Sequence, residues 1–188
     1  MIKNLRNILL CSCVMGLLSS CNSDKQQDPF EITKHNIGAL TDSTMVKDLE
    51  LAFANDSLVK VASTDGFSGS NPDFEIYDTT GNKLLVLTPE KNADSTSTIQ
   101  SIMVMDQRFK TDKNISKIST FKDIQDNYKI SKINNLIRTV VVSVDDINAS
   151  FTIDKKELPA NLRFDMDMKI EAVQIPDEAQ IKYFILHW

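Results

Sequence analysis

Two short stretches with one shared pattern frame what this chain can fold into. In "STMVKDLELAF" the apolar residues Val46, Leu49 and Phe53 recur at i, i+3 and i+7, on one face of a helix. In "STFKDIQDNY" Phe121, Ile124 and Tyr128 do the same. A shift of 75 residues lays Val46-Lys47-Asp48-Leu49 on Phe121-Lys122-Asp123-Ile124. Asp42 or Ser43 is placed to cap the first helix. Ser119 or Thr120 is placed to cap the second, with Asp123 in its first turn.

Strands fill most of the rest. Residues 30–37 ("FEITKHNI"), "DSLVKVAS" and residues 99–106 ("IQSIMVMD") read as strands, as do "LIRTVVVSV", "ASFTI", "MKIEAVQI" and "IKYFILHW". "FEIYD-TTGN-KLLVLT" reads as a hairpin, with Gly81 and Asn82 supplying the positive φ of a tight turn. "TDGFSGSNP" and "EKNADSTST" are loops, and Pro159 and Pro176 mark turns. The class is α+β: a strand-rich antiparallel sheet with two short amphipathic helices. The 75-residue spacing has two explanations. One is an old duplication giving two β-α-β-β-β halves, residues 30–98 and 99–188. The other is chance, because Lys-Asp inside a short amphipathic helix is common. Tandem units of this size are similar to small periplasmic binding and inhibitor lipoproteins of the BamE and BLIP kind. The glycine-rich helix start of that group is echoed by "IGALTDST" and absent from "ISKIST".

The N-terminus carries an address. "MIKNLRN" holds Lys3 and Arg6 and no acid, and residues 8–18, "ILLCSCVMGLL", are mostly apolar and uncharged. A membrane-crossing helix needs about 20 apolar residues for a core ~30 Å thick. This run is too short for that and the right length for a secretory h-region. It ends "LSSC", and Leu18, Ser19, Ser20 and Cys21 resemble the lipobox of bacterial lipoproteins. The resemblance implies that residues 1–20 are removed as a signal peptide. It also implies that the Cys21 thiol takes a diacylglyceryl group and that its freed amine takes another acyl chain. Each buried CH₂ contributes ~0.8 kcal/mol; one chain holds marginally and two hold stably. A cut before Cys13 would leave too short an apolar run after Arg6. The bland alternative is a buried N-terminal helix with Cys21 an ordinary thiol.

The other cysteines, Cys11 and Cys13, lie within the signal, and none follows Cys21. The folded domain is therefore expected to stand without disulfides. Residues 21–29 read as the lipidated cysteine and a flexible tether, and residues 30–188 as a single domain. Asn22, beside the cysteine, is not the Asp that resembles an inner-membrane retention signal, so the expected address is the cell envelope at the outer membrane. Losing the signal takes the formal charge from −5 to −7. No basic cluster is interleaved with aromatics, which argues against nucleic acid as a partner.

Candidate chemistry is sparse. Residues 146–157, "DINASFTIDKKE", place oxygen side chains at positions 1, 3, 5, 9 and 12 of an EF-hand loop. Phe151, however, sits where that loop needs glycine, and the stretch before it is strand-like. The two histidines, His35 and His187, have no second ligand at metal spacing. His187 alternates with Ile185 and Tyr183 as a strand residue would. Ser57 and Lys60 form an S-x-x-K on an expected strand without its companion motifs. Triplets beginning at Asp42, Asp56, Asp78 and Asp94 resemble the short O-glycosylation sequon of secreted Bacteroidota proteins, and equally suit caps and turns.

With Cys21 as the one assigned site residue and no cofactor, the expectation is a membrane-anchored, non-catalytic envelope domain. It would bind an envelope protein or glycan. The rivals are an envelope hydrolase using carboxylates and a stress-response or assembly-accessory lipoprotein.

Overall fold

The computed structural model describes residues 28–61, 72–90, 94–165 and 167–188. The expected signal peptide, Cys21 and nearly all of the tether lie outside the described residues. Three two-residue strands come first: β1 (Glu31–Ile32), β2 (Asn36–Ile37) and β3 (Leu40–Thr41). A 3₁₀ turn at Val46–Asp48 then leads into α1 (Leu49–Ala52). β4 (Ser57–Val61), β5 (Asp73–Tyr77), β6 (Lys83–Pro89) and β7 (Ile99–Val104) run as an antiparallel meander. β8 (Lys110–Thr111) and α2 (Phe121–Asn127) follow. The second meander is β9 (Lys132–Asn135), β10 (Thr139–Val144), β11 (Ala149–Asp154) and β12 (Ile181–His187).

The two meanders join edge to edge. Their last strands pair antiparallel, giving an eight-stranded sheet ordered β4-β5-β6-β7-β12-β11-β10-β9. Alternation sorts its faces. Phe74, Ile76, Leu85, Leu87, Ile102, Val104, Val140, Val142, Phe151, Ile153, Phe184 and Leu186 are buried on one side. On the other side one register row crosses every strand: Val59, Glu75, Val86, Met103, Ile185, Ser150, Ser143, Lys132. The small sheet, β3-β2-β1-β8, is antiparallel except for its parallel β1–β8 pair.

Both halves hold their helix in the same way. Val46 N donates to Ser97 O at 2.9 Å and Lys47 N to Ser95 O at 3.0 Å. In the second half, Phe121 N donates to Ala179 O at 2.9 Å and Lys122 N to Asp177 O at 3.0 Å. Met45 bridges Thr98, and Thr120 bridges Gln180. The helix start is thus pinned to the residue before the last strand of its own meander in each case. The apolar triplets also behave alike: Leu49, Phe53, Phe121, Ile124 and Tyr128 are buried, and Val46 is half-buried against the core. Each half is therefore a helix followed by four strands. β7 closes the first meander and β12 the second.

Some local expectations change. Residues 30–37 form two tiny strands around a turn held by the Thr33 and Asn36 side chains. The first helix starts without a side-chain cap at Met45, so neither Asp42 nor Ser43 caps it. The second starts at Thr120, with a capping box to Asp123. In the β5–β6 turn Gly81 has φ +85°, whereas Asn82 contributes through its side chain. The expected strand at residues 168–175 is a loop with a 3₁₀ turn, Ala172–Gln174. Its buried isoleucines, Ile170 and Ile175, are five apart and Val173 is 91% exposed, which no strand face accommodates.

One buried group is out of place energetically. Lys155 is 4% exposed, and its Nζ finds no hydrogen-bond partner among the described residues. A buried unsatisfied polar group costs about 1–3 kcal/mol, more if charged. Lys155→Met keeps the apolar stem and removes the ammonium. Thermal unfolding of that variant is expected to shift upward by roughly 2–8 °C. An unchanged or lowered Tm would show that the ammonium is well partnered in solution.

Candidate functional site

A cavity of about 300 Å³ lies where the small sheet, α1 and the β5–β6 turn meet. Buried Ile37, Phe53, Leu84, Leu85 and Phe109 give it apolar walls. Leu84 is available because β6 carries a bulge opposite Ile76/Tyr77, so two successive leucines are buried. Gly38 allows the wall to close: its φ is +52°, and a Cβ there would sit 2.4 Å from Pro29 O.

The charged side of the cavity is Asp56, Asp78 and Arg108. Asp78 opens the turn after β5. Its Oδ1 accepts from Thr80 N at 3.0 Å, Thr80 Oγ1 at 2.7 Å and Asn82 N at 3.0 Å. Its Oδ2 accepts from Asn82 Nδ2 at 3.3 Å and Arg108 Nη2 at 2.8 Å. These donors hold the carboxyl well below the usual carboxylate range, with Thr80 contributing most. Arg108 also binds Asp106, Nε to Oδ1 at 3.0 Å and Nη2 to Oδ2 at 2.9 Å. Its guanidinium lies 4.6 Å over the Phe30 ring, which meets Phe109 edge-on.

Asp56 differs from its neighbours. It is half-buried, and its carboxylate has no hydrogen-bond partner among the described residues. Burial first, then the Asp78 charge, raise its pKa, with Arg108 partly opposing. The two carboxylates at one cavity are thus pushed in opposite directions.

A second cavity, about 370 Å³, holds a pair that sequence spacing did not reveal. Ser150 Oγ and His187 Nε2 are hydrogen-bonded at 2.7 Å, from neighbouring strands β11 and β12. Asp145 and Trp188 line the same cavity. No carboxylate bonds the other ring nitrogen of His187 among the described residues. Strand alternation had marked His187 as a strand residue, and it ends β12.

The remaining candidates separate. His35 pairs with Asp42 at 2.7 Å on the surface. Ser57 and Lys60 lie three apart on β4, hence on opposite faces, and the Lys60 ammonium sits 5.8 Å over Phe74. Residues 149–154 of the EF-hand-like stretch form β11. Asp78 and Asp94 brace turns, each accepting from the amide and hydroxyl of the Thr two residues on. Ser43, Ser57, Thr79 and Ser95, second in each triplet, are all exposed. Among the described residues no group of three His, Cys, Asp or Glu side chains is placed to hold a metal, and no helix is long and apolar enough to cross a membrane.

No protein-family model matches this chain, and no curated protein matches it significantly. The fold is similar to the crystal structure of the uncharacterized protein yfeY from Escherichia coli, with a TM-score of 0.54 and 16% identity. The match covers 84% of this chain and 99% of that one. At this identity the likeness shows the α+β fold.

His187 supplies a pH test. Withdrawal from water lowers its pKa from the ordinary 6.5. On acidification the unfolded chain therefore takes up this proton first, so stability falls as pH drops from about 6.5 towards the folded value. Denaturant unfolding of His187→Gln between pH 7.5 and 5 is expected to show a shallower loss of stability than the parent. Parallel curves would mean that the ring titrates alike in both states.

Proposed function

We propose that this chain is an envelope lipoprotein, anchored by lipid on Cys21 at the outer membrane, whose folded part is a non-catalytic binding module. The "LSSC" lipobox and the short apolar run before it support the anchor. The state of Asp78 carries the binding reading. A carboxylate offers about four lone-pair sites, and five donors occupy those of Asp78. A carboxylate acting as nucleophile or base needs an open oxygen. Asp78 has none to spare, so it serves as a brace that holds the cavity mouth in shape. A preformed apolar cavity with a few fixed polar groups is the ordinary design of a ligand site. The ligand would be drawn from the envelope: a protein segment, a glycan or a smaller molecule.

The second reading, a hydrolase, has two observations in its favour: the raised pKa of Asp56 and the Ser150–His187 hydrogen bond. Each lacks its partner, since Asp78 is saturated and no carboxylate orients His187 among the described residues.

The anchor is tested by metabolic labelling with palmitate and by membrane sedimentation. The parent is expected to be labelled and to sediment with outer membranes, and Cys21→Ala to be unlabelled and released. Equal sedimentation of Cys21→Ala would contradict the anchoring. Affinity capture from solubilised envelope then tests binding: a specific stoichiometric partner or ligand supports the module. Turnover of an ester or glycoside substrate lost in Asp56→Asn would favour the hydrolase.

A further inference from the structure

The two halves of the fold allow one position to be compared with itself. Asp56 lies 75 residues before Ser131, the spacing that superimposes the helices. Asp78 and Asp145 are likewise matched: each is the first residue after the second strand of its meander, β5 and β10. In the second half the matched pair is a closed contact, with Asp145 N donating to Ser131 Oγ at 3.0 Å. The architecture at this position is therefore satisfied by a small neutral hydroxyl. In the first half it holds a half-buried carboxylate with no hydrogen-bond partner among the described residues, lining the same cavity as a second carboxylate, Asp78. Holding up the fold does not account for Asp56.

From this asymmetry we infer that the Asp56 cavity is a binding site for a small ammonium ligand with an apolar body. The inference rests on reading the domain as a binding module and names the chemistry of what it binds. Among the described residues three carboxylates, Asp56, Asp78 and Asp106, lie near one guanidinium, and Arg108 is already committed by hydrogen bonds to Asp78 and Asp106. The least compensated of the three charges among the described residues is that of Asp56, which has Arg108 near it but no hydrogen bond to it. An ammonium placed there satisfies the carboxylate and relieves its repulsion from Asp78. An alcohol satisfies a hydrogen bond but leaves the charge, and an anion adds to the repulsion. The walls of Phe53, Leu84, Leu85 and Phe109 take up an aliphatic or alicyclic body. The volume, about 300 Å³, is at the small end for ligand cavities, which favours a compact molecule over a polymer segment.

The experiment uses the full lipidated chain in a nonionic micelle and follows the methyl NMR signals of Leu84 and Leu85. The probes are cyclohexylammonium, cyclohexanol and cyclohexanecarboxylate. Saturable shifts are expected with the ammonium, at an affinity at least tenfold above the alcohol, and none with the carboxylate. Asp56→Ser installs the residue that already works at the matched position, so it is expected to fold and to lose the tenfold preference. Asp56→Glu is expected to keep part of it. Equal affinity for ammonium and alcohol, full retention of the preference in Asp56→Ser, or no shift with any probe would each overturn the inference. Palmitate labelling and partner capture on the same sample read the anchoring and binding-module proposals independently, so this site can fail while they stand.

Discussion

The β7–β12 seam is the contact on which the rest of the structure depends. Each meander alone is a four-stranded sheet with one short helix on it, too small to enclose much apolar surface. Pairing Val104 with Phe184, Met103 with Ile185, Ile102 with Leu186 and Ser101 with His187 makes one sheet and one continuous core. The register is that of two halves related by an approximate two-fold, with Met103 and Ile185 at its centre. A one-residue slip would turn either Ile102 and Val104 or Phe184 and Leu186 out of the core, so burial specifies the alignment strongly. On the core side, Phe184 packs against Phe151 with ring centroids 4.6 Å apart, tying the seam to the next strand.

The helices repeat this logic on a smaller scale. An isolated helix of four or seven residues is not stable in water. Each is held because its first amides donate to the chain just before the seam strand and its apolar face lies in the common core. The two halves differ where their matched residues differ. Phe53 stands where the second half has Tyr128, whose hydroxyl donates to Asp112, and Asp56 stands where the second half has Ser131. The same backbone plan thus carries a hydroxyl that accepts from the Asp145 amide in one half and a carboxylate lining an apolar-walled cavity in the other. The outer edges of the sheet, β4 and β9, carry Lys60 and Lys132, charges of the kind that discourage edge-to-edge association.

Much of the fold was legible in the chain, because the residues that decide it act locally. The helical triplets, the Thr120–Asp123 cap, the Gly81 turn and the alternation in β5, β6, β7, β10, β11 and β12 are short-range signals. Errors arose where local pattern lost to context. "MKIEAVQI" is β-branched enough to suggest a strand, yet its isoleucines are spaced to plug a loop onto the core. β9 was not distinguished because "KINN" is short, polar and supported mainly by β10. The candidate site was much less legible. Asp78 betrays itself as a turn anchor by the Thr-Thr-Gly-Asn that follows. Its meeting with Arg108, 30 residues on, and its place beside Asp56 at one cavity are made by tertiary folding. The Ser150–His187 bond is another contact across strands, with no trace in linear spacing.

Native-state hydrogen exchange with residue resolution tests the central claim, that one seam makes two half-sheets into a single cooperative unit. The amides of β7 and β12 are expected to be the slowest in the protein, exchanging only through global unfolding, while those of the edge strands β4 and β9 open at lower cost. Seam amides that exchange as readily as the edges, or two halves that exchange with separate unfolding energies, would contradict it.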